Sequence, residues 1–304
     1  MVKLSVVVST YNRAAYLIKC LEHLKDQQEV SRSDYEVIVV NNNSPDDTDI
    51  KVNQFLAEHP NLPWTYVIEA NQGLSYARNR GIHESGGEII AFLDDDAYVN
   101  GQYCKTILGF FGKQPDAMAI GGRIMPAYEG QEPKWMSRFL WPLVAALDLG
   151  NEVKEFKGTK FPIGANMAFR KKAFDQYGSF SNQLGRKGTR LEGGEEKDFI
   201  YRLKKNREPI YYVPSLCVHH IIPEKRLSMD YIRSQAIGVG LSERKRLRVL
   251  AYTDRLSKII GEAVKIGGTV ILTLFYLAQL KASKAVMLVR IRFWILKGYF
   301  STGQ

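Results

Sequence analysis

Short apolar runs alternate with stretches of helical periodicity along the first hundred residues. The apolar runs predict buried strands over residues 4–8, 35–40, 64–68 and 88–93. Apolar residues spaced three and four apart predict helices over residues 12–28, 44–58 and 74–84. This alternation is typical of an α/β fold with a parallel sheet. From about residue 228 onward the pattern is helical.

A polar cluster follows each of the four predicted strands at its carboxyl end. The clusters cover residues 9–12, 41–44, 71–73 and 94–96. Ligands of open α/β sheets bind outside the carboxyl ends of the strands. We therefore expect the four clusters to form one site.

The last cluster consists of three adjacent aspartates, Asp94, Asp95 and Asp96. Adjacent carboxylates repel one another unless a cation lies among them. Their hard oxygen ligands suit Mg²⁺ or Mn²⁺, which then bridges a diphosphate. The alternative is an acidic helix N-terminus, where aspartate is favourable in any case. The position directly after an apolar strand favours the metal site.

Several motifs occur in a fixed order along the chain. They are VVVSTYNR at 6–13, VVNNNS at 39–44, NQGLSYARNRG at 71–81, FLDDD at 92–96, GANMAFR at 164–170 and GGEEKD at 193–198. Together they resemble glycosyltransferase family 2 over roughly residues 1–240. The resemblance implies a GT-A fold with a mixed, mostly parallel sheet, and an inverting enzyme that uses a nucleotide-sugar donor.

The resemblance also implies roles for individual residues. Asp94 and Asp96 are the outer acids of its D-x-D motif, the first beside the ribose and the last on the metal, and His220 is a further expected metal ligand. The expected nucleotide-sugar-binding residues are Thr10, Tyr11, Arg13, Asn41, Asn43, Gly73, Arg78, Asn79, Asp94 and Asp95. Arg78 suits a diphosphate because its forked donors match phosphate oxygens, and a solvated helix face is the alternative for it.

Asn41 departs from the family pattern, which usually has an aspartate at the end of the second strand, in contact with uracil. A carboxylate only accepts hydrogen bonds, whereas an amide both donates and accepts them. The residue therefore leaves the donor open among uridine, guanosine and thymidine nucleotides. We expect Asn41→Asp to change nucleotide preference more than turnover.

The pair Glu195 and Glu196 follows two glycines and precedes apolar residues at helical spacing, so it opens a helix. In the family, the second acid of the corresponding pair is the catalytic base. Glu196 takes that place here, with one methylene more than the family's aspartate. Glu195 and Asp198 are the other candidates for the base. The alternative is a favourable acidic first turn of a helix.

The net charge of +10 is carried entirely by the C-terminal part of the chain. Residues 1–220 contain 27 Lys and Arg against 27 Asp and Glu, and residues 221–304 contain 15 against 5. This contrast predicts two physically different parts, a neutral body and a basic helical tail over residues 228–304. The family resemblance implies that the body is a catalytic domain over residues 1–227, with a nucleotide-binding half (1–100) and an acceptor-binding half (101–227). The tail suits attachment to an anionic membrane surface, and a packed helical hairpin or a dimer interface is the alternative.

These observations predict a metal-dependent glycosyltransferase of the cytoplasm, peripheral on the inner face of the cell membrane. The family resemblance further implies that its acceptor is a saccharide or lipid-linked saccharide in surface or extracellular polysaccharide synthesis. Three widely spaced cysteines without a C-x-x-C pair fit a reducing compartment. Nucleic acid is not an expected partner, because no RNA- or DNA-binding module is recognisable.

Two alternatives to this function stay open. One is a catalytically silent family member that acts as a membrane or complex partner. The other is a sugar nucleotidyltransferase, which is expected to carry a glycine-rich loop after the first strand. Residues 9–13 contain no glycine, and this argues against that second alternative.

Overall fold

The computed structural model of the chain describes residues 2–188, 193–249 and 252–301. The described strands, in chain order, are β1 (Leu4–Thr10), β2 (Tyr35–Asn41), β3 (Trp64–Ile68), β4 (Ile89–Asp94), β5 (Ala97–Val99), β6 (Ala119–Tyr128), β7 (Lys154–Glu155), β8 (Asn166–Arg170) and β9 (Ile210–Ile222). The described α-helices are α1 (Ala14–Lys25), α2 (Thr48–Glu58), α3 (Leu74–Glu84), α4 (Tyr103–Lys113), α5 (Lys172–Tyr177), α6 (Glu195–Lys205), α7 (Met229–Val249), α8 (Tyr252–Ala278) and α9 (Ala282–Phe300). Short 3₁₀ helices lie at Arg138–Val144 and Glu224–Leu227.

The described strands form one sheet in the order β3-β2-β1-β4-β8-β6-β9-β5, with β7 paired to β9. The four strands β3, β2, β1 and β4 are parallel to one another. Strand β8 runs antiparallel to β4 and β6, and β9 runs antiparallel to β5 and β7. The predicted α/β fold with a mixed sheet and C-terminal helices is therefore confirmed.

The sheet is buried on both faces because its central strands are apolar at successive positions. On β1, Leu4, Val6 and Val8 belong to one core cluster, while Val7 belongs to the other. Helix α6 packs into the second cluster through Phe199, whose ring stacks on that of Phe174 with centroids 4.7 Å apart. This packing anchors the helix whose first two residues are the predicted acid pair.

Helix α3 lies close against β1. A Cβ atom at Gly81 would lie 2.2 Å from Cγ1 of Val7, so the approach requires glycine. Gly73, just before the helix, has a φ of 142°, which also favours glycine. Its N–H donates to Oδ1 of Asn42 across 2.7 Å. These contacts hold the first turns of α3 beside the carboxyl ends of β1 and β2.

Two predicted helices begin later than the sequence pattern suggests. Asn12 has a φ of 55°, outside the right-handed helical region, and α1 begins at Ala14. Ser44, the first residue of the second predicted helix, instead accepts a hydrogen bond from the N–H of Asn12. Asp46 accepts a hydrogen bond from the N–H of Thr48 at 3.1 Å, and α2 begins at that threonine. The residues between Asn41 and Thr48 are therefore not helical, and they connect β2 to α2.

The described residues divide into two compact units. The first is drawn from Met1–Ala127, Ala145–Gly188 and Glu195–Ile221, and the second from Tyr128–Val144, Thr189–Gly194 and Ile222–Gln304. The second unit thus groups helices α7, α8 and α9 with a segment that precedes them by about a hundred residues. Within α8, the segment Ile259–Ala278 is long and apolar enough, by length and composition, to cross a membrane. The predicted division into a catalytic domain and a membrane-associated tail stays a prediction.

Candidate functional site

The predicted polar clusters meet at the carboxyl edge of the parallel strands. In the register of the sheet, Thr10 at the end of β1 lies beside Asn41 at the end of β2. On the other side of β1, Ser9 lies beside Asp94 at the end of β4. Parallel strands end at the same edge, so residues far apart in sequence are neighbours here. The strand ends and the side chains around them belong to the first unit.

The middle aspartate of the triplet is held by the protein itself. Asp95 is 4% exposed, and it accepts hydrogen bonds from Thr10 Oγ1 and from Arg13 Nη1, each at 2.7 Å. Burial raises the pKa of Asp95, and the charge of Arg13 opposes that rise. Burial by itself would lower the pKa of Arg13, but Asp95 and Asp96 more than offset this and raise it. Arg13 therefore stays cationic and neutralises the buried end of the triplet.

The outer aspartates and one histidine form a group that fits a divalent cation. Ligand atoms of Asp94, Asp96 and His220 all lie within 4.8 Å of one another. Strand β9 brings the histidine there, because His220 pairs with Ala97 of β5 and its Nε2 lies 3.0 Å from Asp96 Oδ1. The strand alternation turns His219 outward and His220 inward, where it is 2% exposed. Two carboxylates and an imidazole are ligands that Mn²⁺ accepts, and Mg²⁺ prefers the oxygens alone.

Arg78 on α3 lies between the group formed by Asp94, Asp96 and His220 and the acid pair of α6. It is 2% exposed. Its Nη1 donates to Glu195 Oε1 at 2.7 Å and to Glu196 Oε2 at 3.4 Å, and its Nη2 lies 3.4 Å from Asp94 Oδ1. The alternative of a solvated helix face is thereby excluded for Arg78. One buried cation contacts three carboxylates, and this arrangement was not evident from the spacing of the motifs.

The two glutamates of the pair differ in their environment. Burial raises the pKa of Glu195, and the neighbouring charge of Glu196 raises it further. Burial also acts to raise the pKa of Glu196, but Arg78 and a hydrogen bond from Glu195 lower it overall. The Glu195 side chain is 2% exposed and that of Glu196 is 18% exposed. The pKa of Glu195 is therefore shifted upward and that of Glu196 downward, and Glu196 is the member of the pair that reaches the open side of the site.

The third predicted acid of this helix has a different partner. Asp198 lies 3.3 Å from Arg202, one turn further along α6. Its side chain is 23% exposed. The contacts of Asp198 are thus those of an ion pair along one helix, and its role as a candidate base stays a prediction.

A pocket with an empty volume of 390 Å³ opens beside the first turn of α3. Its lining contains three of the predicted nucleotide-binding residues, Thr10, Tyr11 and Gly73. The other lining residues are Ser9, Asn42, Gln72, Leu74, Ala77, Arg186 and Gly188. The sequence did not indicate Arg186 as a pocket residue, because its loop lies far from the strand ends in sequence. The loop is fixed to α3 by the N–H of Leu74, which donates to the Arg186 carbonyl at 2.9 Å.

The asparagines predicted to bind the nucleotide make contacts within the protein. Asn41 is 2% exposed, and its amide donates to the Tyr66 hydroxyl and accepts from the Ser44 N–H, each at 2.8 Å. Asn79 donates to the Phe180 carbonyl at 2.9 Å and accepts from the Phe180 N–H at 3.0 Å. Asn43 is exposed, with a φ of 55°. Their roles toward a nucleotide stay predictions, whereas their observed contacts fix the loops around the site.

Comparison with known proteins gives matches over most of the chain. A family model described as "Glycosyl transferase family 2" matches residues 5–178. A glucosyl-dolichyl phosphate glucuronosyltransferase of Haloferax volcanii is 25% identical over 247 residues, which are 80% of this chain and 76% of the relative. The succinoglycan biosynthesis protein ExoM of Rhizobium meliloti is 26% identical over 250 residues, 82% of this chain and 76% of the relative.

One solved structure is similar in fold to nearly the whole chain. The mannosyltransferase PcManGT from Pyrobaculum calidifontis, in complex with GDP-Man and Mn²⁺, aligns with 99% of this chain and 88% of its own at a TM-score of 0.66. The identity is 17%, so this likeness concerns the fold.

Proposed function

The chain belongs to glycosyl transferase family 2, and from this premise we propose that it transfers a sugar from a nucleotide-sugar donor to a hydroxyl acceptor with inversion. The observation that carries the proposal is the position of Arg78. One buried guanidinium contacts Asp94 of the metal-binding group and both acids of the pair, Glu195 and Glu196. A donor held at the aspartates therefore lies beside an ionised base.

The donor is proposed to bind along the carboxyl edge of the parallel strands. The pocket lined by Thr10, Tyr11 and Gly73 would hold the nucleoside. Asp94, Asp96 and His220 would hold a divalent cation, with Mn²⁺ better matched to the imidazole than Mg²⁺. When bound, such a cation supplies positive charge that stabilises a departing diphosphate. The mannosyltransferase with a similar fold was solved with GDP-Man and Mn²⁺, which supports this kind of donor site.

Glu196 is proposed as the general base. It is the ionised and more exposed member of the acid pair. In the reaction its carboxylate takes the proton of the acceptor hydroxyl as the acceptor oxygen bonds to the anomeric carbon. The bond from that carbon to the diphosphate oxygen breaks on the opposite side, so the configuration inverts. Glu195, whose pKa is raised by burial, is proposed to position the Glu196 carboxylate through the guanidinium of Arg78 that both side chains contact.

The acceptor is proposed to be a saccharide or a lipid-linked saccharide in surface or extracellular polysaccharide synthesis. One relative is named for a glucosyl-dolichyl phosphate and another for succinoglycan biosynthesis. A lipid-linked acceptor places the reaction at a membrane surface, and we propose the cytoplasmic face. The basic composition of residues 221–304 supports contact with an anionic surface.

The test is a transfer assay with the purified full chain, Mn²⁺ and a panel of uridine, guanosine and thymidine nucleotide sugars. Release of nucleoside diphosphate and an inverted anomeric configuration in the product, read by NMR, are expected. Glu196→Gln is expected to lower kcat by about 10²–10⁴-fold. Asp198→Asn, which changes an acid in the same helical turn, is the matched control and should stay near the wild-type rate.

Other outcomes of these assays would favour a different function or a different base. A wild-type protein that consumes none of the donors with Mn²⁺ would favour a catalytically silent family member. Release of pyrophosphate, rather than nucleoside diphosphate, would favour a sugar nucleotidyltransferase. Equal rates for Glu196→Gln and the wild type would remove Glu196 as the base.

A further inference from the structure

The outward side of helix α8 has no polar side chain along its described apolar segment, residues 259–278. Each exposed residue of this segment is apolar, alanine or glycine. Val264, Ile271 and Leu274 are 69%, 69% and 62% exposed. We call these exposed positions of residues 259–278 the outer face of α8. A helix that meets water on one side normally shows its charged side chains there.

The acidic residue of the same segment, Glu262, turns toward α9, and Lys265 pairs with it along α8. Glu262 is bound by Lys265 at 2.5 Å and by Arg292 of α9 at 3.4 Å. Nε of Arg292 also donates to Thr269 Oγ1 at 3.2 Å. The polar groups thus pair between the two helices while the apolar groups are exposed. This inverted polarity is the pattern of a helix that faces lipid.

Helix α9 adds basic residues to the exposed apolar surface. Phe293 and Phe300 are 63% and 73% exposed, and Arg290 and Lys297 are exposed on the same helix. The sequence of α9 contains no aspartate or glutamate. A second copy of this chain would bring the same cations to a shared interface. An anionic surface is therefore the complementary partner.

The placement of charge on α9 also decides how the two helices meet a membrane. Helices α8 and α9 are joined by the short segment Gln279–Lys281, so they form a hairpin. If the hairpin crossed a bilayer, the basic side chains spread along α9 would enter the hydrocarbon layer at high cost. A hairpin lying in the plane of the surface keeps those cations among the lipid headgroups.

We propose that the α8–α9 hairpin lies in the surface of an anionic bilayer, with the outer face of α8 in the acyl region. Arg290 and Lys297 then contact lipid phosphates. This assignment concerns the second unit alone and does not depend on the transferase reaction. The proposal assigns the expected membrane contact to defined residues of α8 and α9.

The test is flotation of the full chain with vesicles, in the absence of nucleotide sugar. Vesicles of phosphatidylcholine alone are compared with vesicles that also contain phosphatidylglycerol. Ile271→Glu is expected to lower partitioning by about tenfold or more, because an apolar side chain leaves the acyl region. Ile50→Glu is the matched control, since Ile50 on α2 is also 69% exposed, and it should float like the wild type.

A second pair of substitutions tests the charge contribution. Arg290→Gln and Lys297→Gln are each expected to weaken binding to the anionic vesicles by about fivefold, with a smaller salt dependence. Unchanged melting temperatures would show that Ile271→Glu and the charge variants are folded, as expected for exposed positions. Three results would overturn the proposal: no flotation of the wild type at low salt, equal flotation of Ile271→Glu and Ile50→Glu, or a stable dimer in solution that Ile271→Glu dissociates.

Discussion

The guanidinium of Arg78 lies 2.7 Å from the carboxylate of Glu195, and both side chains are buried. Glu196 and Asp94 lie 3.4 Å from the same guanidinium. Burial raises the pKa of Glu195, whereas Arg78 lowers that of Glu196. The shared contact with Arg78 therefore favours Glu196 as the glutamate that accepts a proton.

Arg78→Gln is expected to move the acidic limb of the kcat/KM profile to higher pH, by about one unit or more. In the wild type, Arg78 lowers the pKa of Glu196, so the base stays ionised until the pH falls below its usual range. Without the guanidinium, burial dominates and the base becomes protonated at a higher pH. The measurement is kcat/KM against pH at saturating metal. Arg80→Gln, which removes a more exposed arginine paired with Glu84, should leave the profile in place.

Glu195→Gln is expected to lower kcat by less than about tenfold, against the larger loss predicted for Glu196→Gln. A glutamine is neutral, as a glutamate with a raised pKa is at low pH, and its oxygen can still accept the hydrogen bond from Arg78. Steady-state kinetics of the two variants make the comparison, and Glu195→Ala, which lacks the hydrogen bond, should be more impaired than Glu195→Gln. Equal losses in the two glutamine variants would mean that the proton is not held by Glu195.

Asn41→Asp is expected to destabilise the protein by about 1–2 kcal/mol as well as to alter nucleotide preference. The Tyr66 hydroxyl accepts from Asn41, and burial raises the pKa of Tyr66 to about 12, with the nearby charge of Asp49 adding to the rise. An aspartate at position 41 has no N–H to donate to that hydroxyl, so this hydrogen bond would be lost. Thermal melting and KM values for several nucleotide sugars measure both effects. Asn43→Asp, at an exposed neighbouring position, should melt like the wild type.

Gly81→Ala is expected to destabilise the first unit by about 1–3 kcal/mol, because its Cβ would lie 2.2 Å from Cγ1 of Val7. The strain would push α3 away from β1 and displace Arg78, so activity should fall with stability. Gly109→Ala is the matched control, since a Cβ at that position on α4 meets nothing within 4 Å. It should be neutral or stabilising, because alanine favours helix more than glycine does. Chemical denaturation of both variants gives the comparison.

The local pattern of the chain was enough to predict the elements around the site and the edge where they meet. The period of apolar residues depends only on neighbouring positions, and it predicted β1, β2, β3 and β4 to within about one or two residues. The family resemblance, confirmed by the match over residues 5–178, depends on motifs that are themselves local. Asp94, Asp96 and His220 were expected to share one metal-binding group, and their ligand atoms lie together.

What the sequence by itself determined is therefore the α/β pattern, the family and the chemistry available at the strand ends. Only the tertiary structure decided that Arg78 contacts both glutamates, that Asn41 is held by Tyr66, and that Arg186 lines the pocket. It also decided that Glu262 of α8 turns toward α9. The physical reason is that hydrogen bonding and protonation depend on distances of a few ångströms between groups that are tens of residues apart. Periodicity and spacing along the chain carry no information about those distances.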